Sequence, residues 1–139
     1  MNKILVLLLL MVSTNVFANG SYLCIADKST GFSFNKRSET YESENFNVSE
    51  SKYILKNNNN TLEWTDFGKN YSICEGSFNT YGFFNCNALG EQIIFNKNNL
   101  RYVKSSIFGY TSVGSPFGKS VIKDGENTPF IEIGKCSPM

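Results

Sequence analysis

The chain has 139 residues, with 13 Lys and Arg against 12 Asp and Glu, four cysteines and no histidine. A charge so near balance offers no basic surplus for phosphate backbones and no acidic tail, which sets nucleic acid aside as a partner. Without histidine, nucleophilic catalysis of the Ser–His or Cys–His kind is excluded.

The first predicted element is a leader. Met1-Asn2-Lys3 runs into an apolar stretch from Ile4 to Val12, a polar break at Ser13 to Asn15, and Val16-Phe17-Ala18. That order is a secretory signal peptide over 1–18, with small residues at the cut site and cleavage expected after Ala18. An uncleaved anchor is the alternative, but a bilayer needs about 20 apolar residues and this run is shorter. Leu23-Cys24 lies beyond the expected cut and lacks the small residue that precedes a lipidated cysteine. No later stretch is apolar enough to cross a membrane, so no stable insertion is expected after cleavage. The expected compartment is periplasmic or extracellular, with residues 19–139 forming a single domain. Loss of Lys3 leaves twelve basic and twelve acidic residues.

All four cysteines, Cys24, Cys74, Cys86 and Cys136, lie after the leader. An even count in an exported chain reads as disulfides. Of the three pairings, Cys74–Cys86 with Cys24–Cys136 is favoured, because it staples one local hairpin and ties the first strand to the last. Zinc is the competing use, but its ligands come in closely spaced pairs, and neither that spacing nor histidine is present.

Ser21 to Ala26 reads as a strand, Asp27 to Gly31 as a turn with Asp27 bonding its backbone and Gly31 taking a positive φ, and Phe32 to Phe34 as a second strand. Asn35 to Asn45, charged and hydroxyl-rich, reads as a surface loop. Phe46 to Val48 and Lys52 to Lys56 resume strand character, Asn57 to Asn60 turns, and Thr61 to Phe67 returns. Tyr71 to Glu75 and Gly82 to Asn87 read as a hairpin centred on Thr80, which places Cys74 opposite Cys86. Gln92 to Phe95 and Leu100 to Val103 form another hairpin, and Phe130 to Cys136 closes the chain. Between them, Ser105 to Thr128 is rich in glycine yet carries Phe108, Tyr110 and Phe117. It either folds over the sheet or presents those rings to a partner. No helix is expected. The fold class is all-β: an antiparallel sandwich or barrel-like meander of about 8–10 short strands with two disulfides.

Candidate chemistry is sparse, and no cofactor or metal motif is present. Asp27, Glu63, Asp66, Glu75, Glu91 and Glu132 could supply the carboxylate pair of a glycoside hydrolase, with Trp64 stacking on a sugar. Trp64 reads more simply as a core residue. Glu132 alternates with Ile131 and Ile133 and is expected to face solvent if they face inward. The Asn47-Val48-Ser49 and Asn59-Asn60-Thr61 glycosylation patterns are read as coincidental.

Cys24 to Phe32, the central cysteine pair, Leu100-Arg101-Tyr102, Phe108-Gly109-Tyr110 and Thr128 to Cys136 together give a chain that resembles small exported proteins of unknown function from marine bacteria and their phages. The resemblance implies source and compartment, and no activity or site. The expected function is a non-enzymatic binding or inhibitor-like module for an unidentified protein or small molecule. Phe108, Tyr110, Phe117 and Trp64 are the candidate contact residues. The alternatives are a two-carboxylate carbohydrate hydrolase and a purely structural envelope or virion protein.

Overall fold

The structure is a computed structural model that describes residues 20–88, 90–111 and 123–139. The expected leader over 1–18 and Phe117 lie outside the described residues.

Nine strands run in order: β1 (Tyr22–Asn35), β2 (Thr40–Phe46), β3 (Lys52–Asn58), β4 (Thr61–Asp66), β5 (Cys74–Gly76), β6 (Phe83–Ala88), β7 (Glu91–Asn96), β8 (Arg101–Ser106) and β9 (Phe130–Pro138). One turn of helix, α1 (Phe108–Thr111), follows β8 where none was expected. Eight strands form an antiparallel, nearly closed barrel in the order β5-β4-β3-β1-β9-β8-β7-β6.

The turns show why asparagine is so frequent. Asn59 and Asn60 both take positive φ in the two-residue connection between β3 and β4, the conformation that matches a right-handed strand twist. Elsewhere the side-chain oxygens of Asn35, Asn47, Asn79, Asn96 and Asn99 each accept the backbone N–H two residues on. Asparagine thereby supplies the turn's hydrogen bond from its own side chain.

Two sequence expectations fail at β1. Asp27 to Gly31 is no turn: β1 continues through it, with a bulge between Ala26 and Lys28 in its pairing with β9. The extra residue resets which side chains face inward, so Cys24, Ala26 and Ser29 are buried while Asp27 and Lys28 face solvent. Gly31 stays extended, and its role is close approach. A Cβ there would collide with the Pro129 carbonyl and sit 2.8 Å from Phe130 Cα. Asn35 to Asn45 is no loop either, since Thr40 to Phe46 pairs with the second half of β1. That ribbon is exposed along most of both faces, so it carries no alternating hydrophobic signal to read.

The two disulfides do different things. Cys24 and Cys136 are register partners on β1 and β9, and their bond lies inside the barrel wall. Cys74 and Cys86 also pair, as expected, but not as partners in a hairpin ladder. The bridge Phe78↔Phe84 sets a register one residue away from the expected centre, and Asn79 organises the turn by accepting from the N–H groups of Tyr81 and Phe83. β5 instead pairs with β4. The Cys74–Cys86 bond therefore joins the two ends of the open sheet, across the seam where the barrel does not close by hydrogen bonding.

The lower core is aromatic and aliphatic: Leu55, Leu62, Trp64, Phe84, Ile93 and Phe95 are buried, each contributing about 1.5–3 kcal/mol of hydrophobic stabilisation. Trp64 is fully buried and belongs to this core.

Candidate functional site

Two rows of inward-facing residues run around the wall. One passes Phe84–Phe95–Tyr102–Gly134–Ala26 from β6 to β1. The next passes Cys86–Ile93–Lys104–Glu132–Ser29, and every member is buried. This second row begins apolar and ends with an ammonium, a carboxylate and a hydroxyl inside a small barrel. Buried charges of this kind are rare unless paired.

Glu132 overturns the sequence expectation. It is 3 % exposed, whereas Ile131 and Ile133 are 54 % and 46 % exposed. The reason is the disulfide. Cys136 must face inward to reach Cys24, and the two-residue period of a strand then carries Gly134 and Glu132 inward with it. Alternation counted back from Cys136 would have found the buried acid.

Gly134 makes the arrangement possible. A Cβ there would lie 2.5 Å from Tyr102 Cε1 and would strike the Ile25 carbonyl. The bare backbone lets the Tyr102 ring lie across β9 and donate its hydroxyl to Glu132 Oε1 at 2.9 Å. The Tyr53 ring stands 5.8 Å from that of Tyr102, and the Glu132 charge acts on its phenol as well. Both phenols are held well above the usual tyrosine range, first by burial and then by the Glu132 charge, so both remain neutral donors. Tyr53, Trp64 and Tyr102 contact one another with ring centroids 5.1–5.8 Å apart. Trp64 Nε1 is buried in this cluster with no hydrogen-bond partner.

Lys104 faces Glu132 across the β8–β9 ladder, but its Nζ turns to Glu91 Oε2 at 3.3 Å. The ammonium stands 4.9 Å from the Tyr53 ring centroid and 5.8 Å from that of Phe130, within cation–π range.

Above this row the barrel opens into a cavity of about 430 Å³, whose wall includes Glu132, Glu91, Glu126, Tyr53, Phe130 and Phe46. Its size falls within the range of small-molecule sites. Three carboxylates share the wall, and among the described residues no Lys or Arg lines it. Among the described residues no three His, Cys, Asp or Glu converge as a metal site.

The structure does not bring the sequence-predicted contact residues together. Trp64 is packed in the core beneath the cavity. Tyr110 lies outside the barrel, its ring 5.0 Å from that of Tyr41, and these two line an outer apolar groove with Phe32, Ile107 and Pro129. Phe108 is placed only as a backbone position in α1, and Phe117 is outside the described residues. Of the carboxylates considered, Glu91 and Glu132 reach the cavity, whereas Asp27 makes a solvent-exposed ion pair with Lys135 at 3.9 Å. Sequence reading missed Lys104, Tyr53 and Tyr102, all inward by the same period-two count. No family model, curated protein or solved structure matches the chain, so the site is read from its own residues.

Proposed function

We propose that this chain is an exported, non-enzymatic binding module whose ligand site is the cavity at the barrel mouth. The observation that carries the reading is Glu132: a carboxylate buried on the wall of a cavity large enough for a small molecule. An apolar residue there would stabilise a small barrel better than a charge, so the carboxylate points to recognition. The signal-like leader and the two disulfides support export.

The test is a small-molecule library screened by protein-observed NMR on the purified, disulfide-bonded protein. Hits should shift the resonances of Tyr53, Ser106, Phe130 and Glu132. Hits confined to the outer groove around Phe32 and Tyr110, or none at all, would remove the reading.

A hydrolase is the second reading, because Glu91, Glu126 and Glu132 share one cavity and paired carboxylates are the equipment of glycoside hydrolysis. Release of reducing ends from oligosaccharides, abolished by Glu132→Gln, would replace the binding module with an enzyme.

A further inference from the structure

We infer that the cavity selects a small organic cation, an ammonium or alkylammonium group no larger than a few carbons around the charge. The inference rests on the cavity being the ligand site and adds the chemistry of what enters it.

Charge is the first argument. Lys104 is the cation of the inward row, and its Nζ is engaged by Glu91 at 3.3 Å. Among the described residues no cationic nitrogen lies within 4.0 Å of Glu132. Glu132 accepts instead from a neutral phenol, that of Tyr102. An ionised carboxylate has about four acceptor positions, so one phenol leaves most of its negative charge for a cationic guest to face. With Glu91 and Glu126 on the same wall, the described residues set three carboxylates around the cavity, and the ammonium of Lys104 behind them is taken by Glu91. An anion would enter against that field, and a neutral guest would leave it uncompensated.

The rings are the second argument. Phe46, Tyr53 and Phe130 line the cavity alongside the carboxylates. Lys104 already shows what these rings accept, since its ammonium lies over both Tyr53 and Phe130. Aromatic faces beside carboxylates are the environment that binds alkylated ammonium groups, which are too weakly hydrated to resist leaving water. A bare metal ion would want several convergent oxygen ligands, and that convergence is not found among the described residues.

The experiment compares choline with 3,3-dimethyl-1-butanol, its neutral carbon isostere, by calorimetry and protein-observed NMR on the disulfide-bonded protein. Putrescine and acetate complete the set. Choline or putrescine should shift the cavity resonances, with the isostere weaker by about tenfold or more. Glu132→Gln should weaken choline by a similar factor, with a dispersed amide spectrum showing that the variant is folded. Phe130→Leu is the second variant, lowering affinity through the ring alone. If the isostere or acetate binds in the cavity as well as choline, the cation inference falls and the cavity stands as a ligand site. If choline binding is indifferent to both variants, the assignment to Glu132 and Phe130 falls. If none of the four probes moves a cavity resonance, the inference falls, and the wider library screen then decides the cavity reading separately.

Discussion

Tyr102 and Glu132 meet inside the barrel through a 2.9 Å hydrogen bond from phenol to carboxylate. Tyr102→Phe removes the donor and leaves the buried charge with one partner fewer, so it should lower stability by about 1.5–3 kcal/mol, the usual worth of a hydrogen bond to a charged group. The double variant Tyr102→Phe with Glu132→Leu removes the charge as well and should recover most of that loss. Urea denaturation of the four proteins in the cycle measures the coupling. Additive losses would mean that the bond is incidental.

The same pair governs behaviour in alkali. Tyr53 and Tyr102 are raised above the ordinary tyrosine value, by burial first and by the Glu132 charge second. Unfolded tyrosines ionise near pH 10. Above that pH the unfolded chain releases protons that the folded chain keeps, so unfolding stability falls as pH rises, by up to about 1.4 kcal/mol per pH unit for each group. The contribution of these two groups is fully present below about pH 10 and lost above it. Absorbance titration of the seven tyrosines should therefore complete only as the protein unfolds. Ionisation of all seven with the fold intact would contradict the buried arrangement.

How much of this the residues foretold depends on whether a strand had one wet face. β7 and β8, with Ile93, Phe95 and Tyr102 inward, sit close to where their β-favouring residues put them, although Val103 faces out and Lys104 in. The β1–β2 ribbon is solvated on both sides, so its pattern resembles a loop. At Glu132 the alternation itself was legible but its phase was not. Two isoleucines outvoted one acid by ordinary hydrophobicity, and only the inward constraint on Cys136 reverses that count. The bulge at Asp27 left no mark beyond turn-forming residues, which serve a bulge as well as a turn. The cavity joins residues from β1, β3, β7 and β9, and no local spacing encodes that assembly.

The seam predicts unequal roles for the disulfides. Cys74–Cys86 links the two end strands of the sheet, whereas Cys24–Cys136 reinforces a ladder that is already hydrogen-bonded. Chain entropy gives about 3 kcal/mol for the twelve-residue separation and nearly 5 kcal/mol for the longer one. Location should reverse the local pattern. Replacing Cys74 and Cys86 by alanine should raise amide exchange in β5 and β6 while β1, β8 and β9 stay protected. Replacing Cys24 and Cys136 should lower global stability without opening the seam. Unchanged protection of β5 and β6 in the first variant would show that the barrel does not depend on the seam bond for closure.

Lys104 connects stability to ligand choice. Its side chain is 9 % exposed and that of Glu91 is 28 %, so the pair is partly shielded from water without being dry. Lys104→Met keeps the length of the stem and removes the charge. Breaking a fully buried pair costs about 3–5 kcal/mol; solvent at Glu91 should reduce this to about 1–3 kcal/mol. The same change takes away the positive charge of Lys104 behind the cavity and leaves Glu91 unmatched alongside Glu132. A cationic guest should then bind more tightly, by about tenfold for choline, and should restore part of the lost stability, since a ligand that binds only the folded state raises unfolding free energy with its concentration. Denaturation with and without choline reads both effects in one series. If Lys104→Met weakens choline binding, then Lys104 assists the guest directly and the charge argument for the cavity is wrong.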